Sequence, residues 1–600
     1  MKIDDLARSW ARYPILWSPR VSGDGQWLAW TWTGITETGE VWIAPTDGSQ
    51  PPERITEGKD HFYVRSLSQD GSQLILAQSI GSNEHDQLFR LDRASGGLEA
   101  LTPLQSTSYV FGGALTEDGG AVVYTADLVN GEPVEGSRIQ RLDLSTRRTH
   151  VLAHAKSFYD LEPEISPDGD LVLYGSYDAD PNGNQMWVVG IDGSGNREVL
   201  NAGARFKTRA HWLGKGSRLL VQAETESHDR VGLLDLETGA LRWLIDDPRR
   251  NIDAVVAGQD GRSAMILEYA DGRLMAKWLD VETGVEQLFI LPETSLKPIA
   301  QLPGGDWVCE RYSAARGHDL VRIEPVTMRV TNLTRSSERF RGCTHPARDF
   351  RWTSSDGLPI QGWLYEPEGE SRGLVVNVHG GPTWHSEDWV TPFIQFMVGA
   401  GFTVLDPNYR GSTGFGRAFR EAIKKDGWGG AEQDDIRTGI EALLAAGKAE
   451  RGKIGVMGLS YGGYSSWIAI TRFADLVDAA VPICGMYALD IDYHATEMPH
   501  GRAFSIEMMG GTPEQLPDRY FRASPQNFIK NIKGRLLIVH GLADSNVSPE
   551  NTKVACRDLM AAKIPFDLMT FDDEGHGIYK AGNREKLLLR IERFFSKAFA

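Results

Sequence analysis

Cysteine is scarce in this chain. Four thiols, Cys309, Cys343, Cys484 and Cys556, are scattered through 600 residues, and no two have C-x-x-C spacing. That pattern gives no support to a disulfide framework or a zinc ribbon and leads us to expect free thiols in a reducing compartment. Long apolar runs are missing as well. No stretch approaches the ~18 uninterrupted apolar residues that span a bilayer. The opening residues, Met1-Lys2-Ile3-Asp4-Asp5, are acidic and carry no apolar core, unlike a secretory signal. A cytoplasmic protein with no membrane partner is expected. Positive charge is in deficit, with 63 Lys and Arg against 81 Asp and Glu, a net charge of −18. With no basic stripe to offset it, that balance disfavours nucleic acid as a partner. The fourteen histidines include no H-E-x-x-H or similar spacing, so neither a metal nor another cofactor is expected.

What is present begins with a repeat. Glycine-bearing turns recur at Asp24-Gly25, Asp70-Gly71, Asp118-Gly119, Asp168-Gly169, Lys215-Gly216, Asp260-Gly261 and Gly304-Gly305, and each is followed by an apolar strand (residues 27–32, 73–78, 121–125, 171–174, 218–222, 263–268 and 307–312). A second hairpin follows within several of the periods, as at residues 41–48, 186–193, 231–239 and 278–284. Two hairpins in each period of about 45–50 residues mark a four-stranded propeller blade, and seven periods imply seven blades. A pair of β-sandwiches is the competing account, although its turns need not recur so evenly.

The rhythm changes near residues 340–351. Apolar strands at 374–378, 402–405, 454–457, 536–539 and 566–571 then alternate with helical stretches at 434–446, 551–562 and 586–598. This alternation predicts a doubly wound parallel sheet with helices on both faces. The expected class is therefore multi-domain β plus α/β: a seven-bladed β-propeller over residues 13–340 and an α/β-hydrolase domain over 341–600. Residues 1–12 are expected to hold a short helix that docks on the second domain.

Within that second domain, Gly458-Leu459-Ser460-Tyr461-Gly462-Gly463 stands between a strand and a helix. G-x-S-x-G in that setting is the nucleophile-elbow pattern. A serine hydroxyl needs an adjacent base near neutral pH. His576, in Gly575-His576-Gly577 after the last strand, supplies one with an ordinary pKa of ~6.5. Asp544, after strand 536–539, is the carboxylate expected to fix the imidazole tautomer. Asp572 and Asp573 are rivals, but they lie very near His576 along the chain. The order Ser460, Asp544, His576 is that of an α/β-hydrolase. Oxyanion donors are expected from the Tyr461 amide and, in His379-Gly380-Gly381-Pro382, from the Gly381 amide. His379 itself is expected to be structural.

Taken together, the chain resembles the prolyl oligopeptidase family of serine peptidases, most closely its acylaminoacyl-peptidase branch. The residues that carry the likeness are His379-Gly-Gly-Pro382, Asn408-Tyr-Arg-Gly-Ser-Thr-Gly-Phe-Gly416, Trp428-Gly429 before Asp434-Asp435, the serine motif, Ser524-Pro525, His540-Gly541 with Asp544, and Gly575-His576-Gly577. The resemblance implies hydrolysis of short or N-acylated peptides through an acyl-enzyme, in a cavity that the propeller closes to folded proteins. It also implies substrate contacts at Asn546, Val547 and Tyr464, of which the last two fit core packing equally well. Asn546 is similar to the dipeptidyl-peptidase branch, yet the Glu-Glu dipeptide with which that branch captures a free amine is absent. Residues 485–522, rich in Met and aromatics, are expected to shape an apolar pocket or to fill core. Two other readings stay open: an esterase or amidase acting on small aminoacyl or aryl-ester substrates, and a propeller interaction module with an inactive hydrolase. Oligomeric state is left open.

Overall fold

Each repeated turn is built by its own side chains. In Ser68-Gln69-Asp70-Gly71-Ser72, the Asp70 carboxylate accepts hydrogen bonds from Ser68 Oγ (2.8 Å), Ser72 Oγ (2.7 Å) and the Ser72 amide (3.0 Å). These donors, led by Ser72, pull the Asp70 pKa down to about 2. Gly71 sits at φ 69°, where only a residue without a Cβ is unstrained. The same device recurs at Ser22/Asp24 and Thr116/Asp118. It reverses the chain between the first and second strands of successive blades.

The computed structural model describes residues 2–104, 108–156, 162–498 and 500–600. Seven four-stranded antiparallel sheets occupy the first part of the chain, each made of four consecutive strands. The first blade is Ile15–Val21, Trp27–Thr33, Glu40–Pro45 and Glu53–Arg54; the seventh is Ser295–Gln301, Trp307–Ser313, Gly317–Glu324 and Arg329–Asn332. The second strand of each blade is buried almost throughout, because neighbouring blades cover both its faces, as in Trp27–Thr33 and Arg218–Glu224. Several fourth strands, such as Glu53–Arg54 and Gly97–Ala100, are short and largely exposed, which is why they leave little apolar signal. Among the described residues no strand is exchanged between the first and seventh blades. Leu28, Trp30 and Trp32 instead pack with Leu302, Val308 and Leu320 to close the ring. The architecture is thus a seven-bladed propeller, as the turn spacing predicts.

An eight-stranded sheet follows, in the spatial order Arg348–Thr353, Pro359–Tyr365, Thr403–Asn408, Leu374–Val378, Ile454–Leu459, Ala479–Ile483, Arg535–Gly541 and Asp567–Phe571. The last six strands are mutually parallel. Pro359–Tyr365 alone runs against them, antiparallel to both of its neighbours, Arg348–Thr353 and Thr403–Asn408. The parallel sheet read from the sequence is present, with an antiparallel edge added to it. A hairpin turning through Asp356-Gly357 adds an antiparallel edge, and its outer strand is largely solvent-exposed and so lacks an apolar run. Helices cover both faces. Tyr461–Arg472, Ala431–Ala445 and Glu550–Ala561 bury Trp467, Ile440 and Leu559 on one side. Pro392–Gly399 and Ala581–Ala598 bury Ile394 and Leu588 on the other.

The helix Ile3–Ala11 joins that second face. Its stripe of Leu6, Ala7, Trp10 and Ala11 is buried in one cluster with Ile394, Val398 and Leu587, and Trp10 stacks on Phe340 at 5.2 Å. Among the described residues no helix is long and apolar enough to cross a membrane.

Candidate active site

Ser460 follows directly on Ile454–Leu459 and begins Tyr461–Arg472, with φ 60° and ψ −119°. A non-glycine residue in such a conformation costs about 1–3 kcal/mol and needs its surroundings to hold it there. The flanking glycines supply the room. A Cβ on Gly462 would lie 1.9 Å from the Val378 carbonyl oxygen, and one on Gly458 would lie 2.3 Å from the same atom. The elbow and the Leu374–Val378 strand can therefore touch only because both residues lack side chains. Gly462→Ala is expected to lower unfolding stability by about 1–3 kcal/mol through overpacking, read in a denaturant titration, and to slow labelling of Ser460 by a fluorophosphonate. Wild-type stability in that variant would contradict the close approach.

The Ser460 amide donates to the Ile483 carbonyl (2.9 Å), and the next residue, Cys484, places its Sγ 4.0 Å from the Gly575 carbonyl oxygen. The end of Ala479–Ile483 thus bridges the serine turn and the histidine loop. His576 Nδ1 lies 2.8 Å from Asp544 Oδ2. The other carboxylate oxygen, Oδ1, accepts the Asn546 and Val547 amides, each at 2.9 Å. Beneath the pair, His540 Nε2 sits 3.3 Å from Asp544 Oδ2. Burial alone would raise the Asp544 pKa. The His576 charge and the hydrogen bonds from His540 and His576 outweigh it and hold the carboxyl well below its usual range. For His576, burial favours the neutral ring, but the Asp544 charge and hydrogen bond, helped by Glu84 and Asp492, raise its pKa above the ordinary value. Ser460 Oγ makes no hydrogen bond among the described residues.

The rival carboxylates are placed elsewhere. Asp573 is tied to Lys580 (2.9 Å) and Asn583 (3.0 Å), and Asp572 is exposed. On the opposite side of the elbow, a Cβ on Gly380 would stand 3.3 Å from Ser460 Cβ, while Gly381 adopts φ 114°. Neither the Gly381 nor the Tyr461 amide donates a hydrogen bond to a described residue. Tyr461 is buried, with its hydroxyl donating to Glu432 Oε1 (2.9 Å), and burial pushes the Glu432 carboxyl up to about 7. His379 is sealed against Tyr409 (ring centroids 4.3 Å apart) with Nε2 2.9 Å from Ser412 Oγ; burial lowers its pKa to about 4, so it is neutral at physiological pH.

Two cavities open between propeller and hydrolase. One of about 270 Å³ is lined by His576, Asn546, Met498 and Tyr579 from the hydrolase and by Tyr63 and Glu84 among the propeller residues. The other, of about 760 Å³, is polar. Thr383, Arg417 and Arg420 face Glu224, Arg209 and Asp229 across it, and Glu224 pairs with both Arg417 (2.9 Å) and Arg420 (2.7 Å). Asn546 is exposed to the smaller cavity. Val547 and Tyr464 lie in the core, the Tyr464 hydroxyl donating to the Ala523 carbonyl (2.7 Å), and neither lines either cavity. Met498 and Met508 from the Met-rich segment do line the cavities, whereas Met486, Tyr487 and Met509 fill core.

Cys484, His540 and Asp544 present ligand atoms within 4.8 Å of one another. Asp544 is already occupied by two amides and two imidazoles, so these residues pack the carboxylate in place. Glu84, Glu432 and Asp492 were not legible as site residues. They stand in polar or helical stretches without a motif.

A serine at a strained elbow and a His–Asp pair at the carboxyl ends of parallel strands, under a propeller, define a propeller-bearing serine hydrolase of the α/β-hydrolase fold. Comparison with known proteins agrees with this. Residues 389–600 match the prolyl oligopeptidase family, so the hydrolase part of the chain is a serine-peptidase domain of that kind. Dipeptidyl aminopeptidase BIII of Pseudoxanthomonas mexicana is 22% identical over 96% of this chain and 86% of that protein. Among solved structures, a puromycin-hydrolysing peptidase of Mycobacterium tuberculosis superposes with a TM-score of 0.85 at 23% identity, covering 100% of this chain and 96% of the other. The acylaminoacyl peptidase of Pyrococcus horikoshii gives 0.75 at 18% identity, with 98% and 96% covered.

Proposed function

We propose that this serine peptidase hydrolyses short or N-acylated peptides with Ser460 as nucleophile, His576 as base and Asp544 as its orienting carboxylate. The observation that carries the reading is the 2.8 Å contact between His576 Nδ1 and Asp544 Oδ2, which leaves Nε2 as the proton acceptor. His576 takes the Ser460 proton as Oγ attacks the scissile carbonyl carbon. The oxyanion is held by the Tyr461 and Gly381 amides. Collapse expels the amine, which receives the proton from His576, and leaves an acyl-enzyme. Water, deprotonated by the same imidazole, releases the acid and restores the serine. The serine–histidine hydrogen bond tightens when substrate fills the site, as is common in hydrolases. The propeller loops that reach the Asp544 and His576 loops favour small substrates over folded proteins.

A second reading keeps the residues and changes the substrate to aminoacyl amides or esters. It is favoured by the likeness to a puromycin-hydrolysing peptidase and by the small size of the cavity beside His576, about 270 Å³. A panel of acyl-amino-acid anilides, free-amine anilides and p-nitrophenyl esters separates the two. The first reading expects the highest kcat/KM on acylated anilides, and preference for free-amine anilides or for esters would transfer support to the second. No hydrolysis of any of them, with no fluorophosphonate labelling, would sink both.

A further inference from the structure

The loop after the propeller strand Gln73–Ser79 carries one carboxylate across the domain boundary, and that carboxylate holds both hydrolase loops of the proposed site. Glu84 Oε1 accepts the main-chain amide of His576 at 2.7 Å. Its Oε2 accepts the amide of Ser545 at 3.1 Å and the Ser545 hydroxyl at 2.6 Å, and Ser545 is the residue after Asp544. Two residues earlier, Ser82 Oγ donates to the Asp573 carbonyl (3.1 Å). The fit is tight enough that a Cβ on Gly575 would lie 2.6 Å from the Ser82 carbonyl oxygen and 3.0 Å from Glu84 Oε1. Glu84 is held at φ 63°, an unfavourable conformation for a glutamate and one that the contacts must sustain. Nearby, the Tyr109 hydroxyl donates to the Glu497 carbonyl (3.0 Å), so neighbouring blades seat on the same edge of the hydrolase.

We infer that Glu84 is a positioning residue for the peptidase reaction: a propeller carboxylate that fixes the Asp544 loop against the His576 loop, so that the base is assembled only while the propeller is seated. Each oxygen serves one loop, and the carboxylate is the clip that sets their spacing. Charge-assisted hydrogen bonds to main-chain amides are among the stronger ones available to a protein, and they are made here beside a partly enclosed cavity. The inference rests on the proposed roles of Ser460, Asp544 and His576.

Electrostatics gives the clip a signature that simple structural support would not have. Three carboxylates act on the imidazole: Asp544 from the loop after Arg535–Gly541, Glu84 from the propeller and Asp492 from Leu489–Ala495. The remaining neighbours are satisfied elsewhere or uncharged. Asp86 is paired with Arg65 (2.7 Å), Glu574 is held by Asn583 (3.0 Å), and Tyr579 and Cys484 are neutral, with pKa values raised by burial. Removing the Glu84 charge takes away one of the three influences that favour the imidazolium, so a smaller proton affinity must follow.

The test is Glu84→Gln in the full chain, assayed with the best anilide and with a fluorophosphonate. An amide offers one accepting oxygen where two are needed, so one loop is released. The expected result is a fall in kcat and in the labelling rate of about tenfold or more, the equivalent of one lost charge-assisted hydrogen bond, with KM changing less. The acid limb of kcat/KM should also move to lower pH. Glu84→Asp should recover part of the rate and return the limb toward the wild-type position. Glu99→Gln, which removes a propeller ion pair to Arg90 far from the site, should leave the limb where it is. Wild-type kcat and an unmoved limb in Glu84→Gln would overturn the inference. So would a fall in melting temperature with the limb unmoved, because that is what mere interface stability would give. Wild-type protein that the probe does not label would instead condemn the proposed nucleophile, an outcome distinct from either.

Discussion

Ser460→Ala is expected to abolish hydrolysis, lowering kcat by up to ~10⁶-fold, and to end fluorophosphonate labelling while leaving the fold intact. The magnitude follows from the proposed chemistry. Without Oγ there is no acyl-enzyme, and what remains is the rate at which water attacks a carbonyl held between the Tyr461 and Gly381 amides, a residual of ~10³–10⁴ over the uncatalysed reaction. The fold should survive because Ser460 Oγ holds nothing together, and its strained backbone is enforced by Val378, Ile483 and the flanking glycines, not by its own side chain. The stability change should stay within ~0.5 kcal/mol in a denaturant titration. Turnover in the alanine variant above that residual would move the nucleophile elsewhere.

Asp544→Asn should cost nearly as much, about 10⁴-fold in kcat, for a different reason. Asp544 Oδ2 faces two imidazoles, His576 at 2.8 Å and His540 at 3.3 Å, while Oδ1 takes two amides. An asparagine has one accepting oxygen, and satisfying the amides with it would turn its NH₂ toward both rings. His576 would then rotate or take the tautomer whose Nε2 is protonated and cannot act as a base. The pH profile adds a second readout. Activity needs the neutral imidazole, and in wild type its pKa is raised, so the rise in kcat/KM should lie above the ordinary histidine value of ~6.5. Loss of the Asp544 charge should move that rise toward acid. The sign for stability differs between the partners. The Asp544 pKa is depressed, so its stabilisation is fully present above ~3.9 and is lost as pH falls through the folded value. The raised pKa of His576 gives stabilisation that is complete below ~6.5 and lost as pH rises through the folded value. An Asn variant with an unshifted profile would remove Asp544 from the role.

Much of this architecture is legible in the sequence because it is written locally. A turn such as Ser68 to Ser72 closes with its own side chains, so Asp-Gly pairs at regular intervals report blades directly. Gly458 and Gly462 flank Ser460 for a steric reason that any α/β-hydrolase shares. The edge hairpin was missed because Arg348–Thr353 shows most of its surface to solvent and carries no apolar run, although Asp356-Gly357 marks its turn. Glu84 was missed for a deeper reason. Its partners stand 461 and 492 residues away along the chain. It faces another domain from a polar loop, and nothing periodic or compositional distinguishes such a glutamate from its exposed neighbours. The core placement of Tyr464 likewise depends on the Ala523 carbonyl that receives its hydroxyl, a pairing that no spacing announces.

The docked helix Ile3–Ala11 has a mechanical corollary. Because it is sewn into the hydrolase, the polypeptide enters the ring from that body just before the first blade and returns to it just after the seventh. Both crossings lie beside the same seam, where Tyr13 Oη accepts the His318 amide of the last blade. A disc pinned twice along one rim pivots; it cannot lift straight off or spin in place. The pairs of Glu224 with Arg417 and Arg420, farther round the ring, are then the contacts that any such tilt would have to break.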